Sequence, residues 1–381
     1  MQAFILYRPK LFRVSVMLIM ILTEWQCKQT YNPPQIKSAS GYLVVDGFMD
    51  AGGDSTVIRL SRTQNLSDSL YTFPPEKGAL INIVGQNGEI YPLNELIDGK
   101  YFSAPLQLNQ NEMYSLKILR SNGEEYQSDY VPVKLSPAID SINWKRSVSG
   151  VTIYANAHDD TDKTTYYRWE YIETWEYQSI FDSGLEYVNG FFYERQPQEQ
   201  IYHCWRTDSS TSVLIASTEK LTADVVYEFP LLLISDNSQQ LNIGYSILVK
   251  QYAITSDAFA YWQAQKLNTE QLGSIFGAQP SQLKGNIHCI THPDEPVIGY
   301  LSASSVQQQR MFIDSSALQG WKYTPPEGCA LDTLKNIGDL FNHVPVTYTA
   351  GIPQQILYST LFCADCRAQG GVNVKPSFWP N

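Results

Sequence analysis

The stretch from residue 166 to residue 177 alternates between an aromatic face and a polar face. A β-strand has a side-chain period of two, so every second residue shares a face. One face carries five aromatic residues: Tyr167, Trp169, Tyr171, Trp175 and Tyr177. The opposite face is mostly polar or charged and includes Arg168, Glu170 and Glu176. The pattern predicts a strand that either lines a core or displays an aromatic surface to a ligand.

The two halves of this strand have different expected roles. The stretch 241–249 alternates cleanly and supplies a neighbouring strand in the same sandwich, so the aromatic residues of the first half are expected to fill a core. The second half runs toward residues 178–211, which have no periodicity and are predicted to form a long loop. Trp175 and Tyr177 are therefore the candidate ligand surface.

Short alternating stretches separated by turn signals occupy residues 41–135. Asn87-Gly88 and Asn122-Gly123 are typical of hairpin turns, which need residues that adopt positive φ. Strands at this spacing indicate an all-β sandwich. We predict an N-terminal β-sandwich at 41–135, with a boundary at Ser136-Pro137.

A second sandwich is predicted at 136–320, with a helical insertion at about 256–276. Ser256 is a suitable N-cap, and Asp257 favours the first turn of a helix. Residues 321–381 are rich in Pro, Gly and Cys and are predicted to be a tail pinned by disulfides. The fold class is therefore all-β: two immunoglobulin/fibronectin-like β-sandwich domains with a short helical insertion and a Cys-rich C-terminal tail.

The N-terminus has the pattern of a secretory signal peptide at 1–26. Three basic residues precede an apolar run at 14–22: Arg8, Lys10 and Arg13. Cys27 stands where cleavage is expected, which predicts acylation of its thiol and a tether at 27–40. The large or charged residues Glu24-Trp25-Gln26 depart from the small residues that lipoprotein signals prefer. No later stretch reaches the roughly 18 apolar residues that span a membrane, so membrane attachment is assigned to the lipid.

Composition supports a globular, strand-rich chain and excludes one class of partner. The 381 residues are 43% apolar and 13% aromatic, which favours strands over a solvated helical chain. The formal net charge is −11 at pH 7. An acidic chain repels phosphates, so no nucleic-acid partner is expected.

Five cysteines follow Cys27 and are the disulfide candidates: Cys204, Cys289, Cys329, Cys363 and Cys366. Disulfides are expected in an exported protein, although the sequence alone does not choose their pairing or the thiol left over. The spacing Cys363-Ala-Asp-Cys366 is also compatible with a redox or metal CxxC. Structural bridging is the favoured interpretation, because no βαβ context and no local set of further metal ligands accompanies the pair.

The sequence contains no nucleophile elbow, zinc-protease motif, phosphate-binding loop or EF-hand loop. Glu173 faces opposite to Glu170 and Glu176 on the predicted strand, which argues against a carboxylate pair. The acidic turn at 158–162 and the aspartates Asp46, Asp50 and Asp54 are interpreted as solvated turns, with calcium binding as the alternative. We predict no catalytic residue, metal or cofactor.

Several stretches together resemble a Bacteroidota lipoprotein family, the domain of unknown function 4249. They include Leu43-Val44-Val45-Asp46-Gly47, Tyr166-Tyr167-Arg168-Trp169, Cys204-Trp205, Tyr245-Ser246-Ile247-Leu248-Val249, Glu295-Pro296-Val297-Ile298-Gly299-Tyr300, and Cys363-Ala364-Asp365-Cys366 with Pro376-Ser377-Phe378-Trp379. The resemblance implies an envelope lipoprotein without an assigned activity, of a kind often encoded beside TonB-dependent outer-membrane receptors.

The expected function is that of a non-enzymatic cell-envelope lipoprotein. Its expected partners are outer-membrane lipid, through acylated Cys27, and a TonB-dependent outer-membrane transporter. One alternative is an envelope glycan or peptide hydrolase that uses carboxylates near Glu173 and the loop at 178–211. The other is a carbohydrate-binding or adhesin-like module. The sequence does not choose between the periplasmic and the surface face of the outer membrane.

Overall fold

Strands dominate the computed structural model, which describes residues 41–64, 73–270 and 283–380. Strands make up 48% of the chain and helices 11%, which confirms the all-β prediction. The predicted signal peptide at 1–26, the lipidation site Cys27 and the tether at 27–40 lie outside the described residues, as do residues 271–276 of the predicted helical insertion. No helix in the part of the chain that the structure describes is long and apolar enough to cross a membrane.

The elements follow one another along the chain as a long series of strands interrupted by one helix of four turns. The first strands are β1 (Leu43–Asp50), β2 (Ser55–Arg62), β3 (Leu80–Gly85), β4 (Ile90–Ile97), β5 (Lys100–Pro105), β6 (Met113–Leu119), β7 (Glu125–Ser128) and β8 (Val131–Lys134). Then come β9 (Ile139–Ser147), β10 (Gly150–His158), β11 (Tyr166–Gln178), β12 (Leu185–Val188), β13 (Phe191–Glu194), β14 (His203–Ser209), β15 (Leu214–Ser217), β16 (Val225–Ser235) and β17 (Gly244–Ala253). After helix α1 (Ser256–Glu270) come β18 (Ile287–Cys289), β19 (Ala303–Ser304), β20 (Val306–Asp314), β21 (Asp332–Thr333), β22 (His343–Tyr348), β23 (Ile356–Thr360) and helix α2 (Leu361–Ala364).

The first module is a closed barrel and not the open sandwich that the sequence predicted at 41–135. The eight strands β6, β3, β4, β5, β2, β1, β19 and β8 pair in that order, and β8 pairs back to β6. Closure depends on a segment far along the chain: the Val45 N–H donates to Ile298 O (2.8 Å), and the Met49 N–H donates to Ser302 O (2.8 Å). This segment covers the edge of β1 that an open sheet would leave unpaired.

The second module consists of two sheets that share one core. One sheet has the order β16-β10-β9, and the other has the order β14-β11-β17-β20, with β15 also pairing to β11. Val151 and Ile153 from the first sheet pack in the same buried cluster as Trp169 and Val249 from the second. Strand β17 pairs antiparallel with β11, which confirms the predicted neighbouring strand.

The chain passes between the two modules more than once. It leaves the barrel after β8 and enters the sandwich at β9, and residues 287–304, which the sequence analysis placed within 136–320, return to the barrel sheet. The segments in which the chain crosses between the modules are hydrogen-bonded to one another. The Ser136 N–H donates to Ser305 Oγ (2.9 Å), and the Ala253 N–H donates to Ser136 Oγ (2.8 Å). Three segments of backbone are thus held together at one buried serine.

The tail forms its own small sheet and is joined to the sandwich by a disulfide. Its three strands pair in the order β21-β23-β22. Cys366 is bonded to Cys204 on β14, and Cys363 is bonded to Cys329 within the tail. The two cysteines of the CxxC spacing therefore have separate partners. Cys289 is the unpaired thiol among the described residues, and it is buried in the barrel core.

Candidate functional site

The aromatic face of β11 is buried along its whole length, so the predicted ligand surface is wrong. Trp175 is 5% exposed and Tyr177 is 1% exposed, and both belong to the sandwich core. The Tyr177 hydroxyl donates to Cys366 O (2.6 Å). No local sequence pattern indicates this burial, because the cover over the second half of β11 comes from the disulfide-joined tail, nearly two hundred residues away.

A cleft of about 570 Å³ lies where the barrel, α1 and the sandwich meet. Ligand sites commonly lie where modules meet, because such clefts combine apolar walls with a few fixed polar groups. Five aromatic side chains line it: Phe48, Phe73, Tyr261, Trp262 and Tyr300. Charged side chains from both modules complete its walls.

Strand alternation supplies the barrel side of the cleft. Leu43, Val45 and Met49 of β1 point into the barrel core, so Asp46 and Phe48 point outward to the cleft. Asp46 pairs there with Arg59 of β2 at 3.7 Å.

Two glycines let backbones approach each other closely in this wall. A Cβ at Gly47 would lie 2.4 Å from Val57 O, and a Cβ at Gly299 would lie 2.1 Å from Val45 O. Both residues also have positive φ, which favours glycine. The wall of the cleft is therefore built from a tightly packed backbone.

The polar face of β11 supplies the sandwich side. The Arg168 guanidinium lies 4.0 Å from the centre of the Trp262 ring on α1 and forms an ion pair with Glu170. The Tyr252 hydroxyl donates to the other oxygen of Glu170 (2.9 Å). Burial, together with the charge of Glu170, raises the pKa of Tyr252 well above its ordinary value. Arg168 and Glu170 are thus held in fixed positions before any ligand arrives.

Helix α1 lies between the two modules and carries aromatic side chains to both. Tyr261 packs on Tyr300 of the barrel segment (ring centres 5.1 Å apart), and Phe259 packs on Tyr166 of β11 (5.1 Å). The first part of the predicted helical insertion is confirmed, because this helix begins at Ser256. No sequence pattern indicated that a barrel surface forms the other side of the cleft.

The carboxylates considered for hydrolysis do not come together. Glu170 lines the cleft, whereas Glu176 lies 3.1 Å from His203. Glu173 is buried in the sandwich, where it accepts hydrogen bonds from Tyr245 Oη (2.8 Å) and Gln240 Nε2 (3.1 Å). Burial raises the pKa of Glu173, while these two hydrogen bonds act in the opposite direction.

Replacing Glu173 with glutamine should remove part of the pH dependence of stability. The folded-state pKa lies above the ordinary value of 4.5, so the folded state holds the proton more tightly. The contribution of Glu173 to stability is therefore greatest below pH 4.5 and falls as the pH rises through the folded-state pKa. Glu173→Gln is expected to be at least as stable as the wild type near pH 8 and to lose this slope.

Urea unfolding across a pH series measures this effect. The exposed Glu327→Gln variant is the matched control and should keep the wild-type slope. Parallel pH dependence in the wild type and Glu173→Gln would contradict the assignment.

The aspartates considered as calcium ligands make hydrogen bonds or ion pairs with neighbouring residues of the protein. Burial alone would raise the pKa of Asp159. Hydrogen bonds from Thr161 and Thr164 outweigh this effect and lower the pKa to about 2. Asp50 Oδ1 accepts from the Gly52 N–H (2.6 Å). The contacts of Asp159 fit the turn interpretation of 158–162. Asp46 and Asp50 instead lie within β1, and Asp50 is buried, so the solvated-turn interpretation is wrong for these two residues.

The family model described as "Domain of unknown function (DUF4249)" matches residues 28–310. No curated protein matches the chain. Among solved structures, the chain is similar to a DUF4785 family protein from Legionella pneumophila subsp. pneumophila str. Philadelphia 1, with 13% identity and a TM-score of 0.20, over 55% of this chain and 51% of that chain. It is also similar to the BSP domain of a biofilm-associated protein, with 8% identity and a TM-score of 0.15, over 72% of this chain and 59% of that chain. The chain spans less than two-thirds of either structure, and likenesses this weak carry no functional argument.

Proposed function

Because the chain belongs to the domain of unknown function 4249 family, we propose that it is a non-enzymatic binding component of the cell envelope. In this proposal the lipid on Cys27 holds the chain at the outer membrane, and the partner is a TonB-dependent transporter. The basic N-terminus with its short apolar run supports export. The resemblance to lipoproteins encoded beside such receptors supports the choice of partner.

We also propose a fold class for the second module. Its β16-β10-β9 sheet faces the β14-β11-β17-β20 sheet, and Trp169 is buried on the central strand β11. Two facing antiparallel sheets with a buried Trp on a central strand are typical of immunoglobulin- and fibronectin-like domains. Modules of this kind commonly serve as binding scaffolds, and we assign the second module to this class.

The cleft between barrel and sandwich is the observation that carries the binding role. Its polar groups are fixed by contacts within the protein, and Phe73 on its rim is 75% exposed. An exposed aromatic side chain beside preorganised charges offers both apolar contact and orientation to a ligand.

A peptide segment of the partner fits this cleft better than a sugar. Sugars stack on free faces of Trp and Tyr, but one face of Trp262 is already covered by Arg168. The most exposed ring, Phe73, has no polar group for a sugar hydroxyl. Cations (Arg59, Arg168) and carboxylates (Asp46, Asp98) both line the cleft and can pair with side chains of a peptide.

Site-specific crosslinking in native membranes tests this function. A photoreactive amino acid at position 73 is expected to crosslink a TonB-dependent receptor. The same substitution at Phe341, which is 79% exposed in the tail, is the matched control and should not crosslink it. Phe73→Ser should reduce co-purification of the receptor by about tenfold or more, whereas Phe341→Ser should leave it unchanged.

Three outcomes would count against parts of this proposal. Absence of any such receptor from the purified complex would reject the partnership. Equal crosslinking from positions 73 and 341 would reject the cleft as the site. Binding to a glycan array that Phe73→Ser abolishes would favour the carbohydrate-binding alternative.

A further inference from the structure

The loop after β18 brings three different metal-ligating side chains together at one end of the barrel. Cys289 is buried, Glu295 is half-buried and His292 is exposed. Their ligand atoms all lie within 4.8 Å of one another. This cluster is separate from the cleft, and neither disulfide involves it.

Backbone hydrogen bonds hold the loop in this conformation. The Glu295 N–H donates to His292 O (2.9 Å), which closes a turn between the two side chains. The Ile290 N–H donates to Glu125 O (2.8 Å), and the Glu125 N–H donates to Thr291 Oγ1 (2.9 Å). The loop is thus attached to β7 on the barrel, so the three side chains are positioned by a rigid support.

We propose that Cys289, His292 and Glu295 bind a divalent transition metal, with Zn²⁺ as the preferred ion. A thiolate, an imidazole and a carboxylate are all zinc ligands, and three protein ligands leave the fourth tetrahedral position open. The sulfur ligand disfavours Mg²⁺ and Ca²⁺, which prefer oxygen. Donor atoms around a tetrahedral zinc lie roughly 3 to 4 Å apart, so modest rotation of the exposed His292 side chain completes the site.

The neighbours of these residues match what metal ligands need. The His292 N–H donates to Cys289 Sγ (3.3 Å), and such a bond fixes the position of a sulfur ligand. The Tyr126 hydroxyl donates to Glu295 Oε1 (2.9 Å), which orients the carboxylate. The Arg62 guanidinium lies 3.9 Å from the same oxygen and adds a second contact that positions the carboxylate.

A purely structural role accounts for two of the three residues but not for the third. Glu295 joins the charge network of Arg62, and Cys289 fills space in the barrel core. His292, however, has no hydrogen-bond partner for its ring within the described ranges, yet the ring lies within ligand distance of both other groups. Cys289 is also the one thiol of the described residues that no disulfide uses.

Titration of the metal-stripped full chain with Co²⁺ tests the site. No reductant is added, so the four bonded cysteines stay unavailable. The wild type is expected to bind one equivalent and to show the ligand-to-metal charge-transfer absorption of a cobalt–thiolate bond, which Zn²⁺ then displaces. Cys289→Ser should abolish that absorption, and His292→Ala should weaken Co²⁺ binding by about tenfold or more.

His288→Ala is the matched control, because His288 is exposed on the same segment and pairs with Asp129 instead. It should bind Co²⁺ as the wild type does. Should Cys289→Ser fail to fold, His292→Ala still decides the question, since His292 lies on the surface. The proposal is overturned if the wild type shows no stoichiometric charge-transfer band, or if His292→Ala and His288→Ala bind Co²⁺ equally.

Discussion

Replacing both Cys204 and Cys366 with serine is expected to lower the free energy of unfolding by about 3 to 5 kcal/mol. The bond joins residues 162 positions apart, so it removes a large loop-closure entropy from the unfolded chain. Both cysteines are fully buried in the sandwich core. The bond joins the tail to β14, where Cys366 also contacts Tyr177 of β11. Denaturant unfolding without reductant, followed by circular dichroism, measures the loss.

The second disulfide provides the comparison. Cys329 and Cys363 are only 34 positions apart and lie in the tail, so the corresponding double serine variant should lose about 1 kcal/mol less. It should also leave the cover over Tyr177 in place, because Cys366 stays bonded to Cys204. An equal or larger loss in the Cys329/Cys363 variant would show that the Cys204–Cys366 bond is not the main attachment of the tail.

Trp169→Ala is expected to destabilise the protein by at least about 4 kcal/mol. Trp169 is 1% exposed and stacks between Tyr167 (5.6 Å) and Phe229 (4.5 Å), which joins the two sheets of the sandwich. Its Nε1–H donates to Gln251 Oε1 (2.9 Å). Removing the ring leaves a cavity and an unsatisfied buried amide oxygen. Equilibrium unfolding in denaturant measures both costs together.

Two further variants separate the causes. Trp169→Phe keeps most of the ring but loses the hydrogen bond, so it should cost about 2 kcal/mol. Tyr227→Ala removes an aromatic side chain of the same sandwich that is 76% exposed, and it should change stability by no more than about 0.5 kcal/mol. If Trp169→Ala and Tyr227→Ala cost the same, β11 is not the centre of this core.

The parts of the fold that the sequence predicted correctly are those set by local periodicity. Alternation along β11 assigned its two faces correctly because side-chain direction depends only on the strand itself. The Asn87-Gly88 signal marks a real hairpin between β3 and β4, where Gly88 has positive φ. Closure of the barrel could not be predicted in this way, because β19 has only two residues and joins β1 through contacts across more than two hundred positions.

Local periodicity also could not predict the candidate cleft. Arg168 and Glu170 were assigned to the polar face of β11, and Trp262 was assigned to a helix, so each local prediction was sound. Their meeting depends on how α1 packs between the modules, which is a tertiary arrangement without a sequence signal. For Glu173, the sequence predicted the face of the strand on which it lies. It did not predict that Glu173 is buried beside Tyr245.

The return of residues 298–304 to the barrel has a consequence for the order of events during synthesis. A chain made from its N-terminus has β1 and β8 long before it has β19, which pairs with both. Until residue 304 exists, the barrel keeps two unpaired edges that can template association with other chains. The whole sandwich strand series from β9 to β17 is synthesised in that interval. The barrel therefore cannot close as an independent early unit, and its edges are expected to stay unpaired until about four-fifths of the chain has been made.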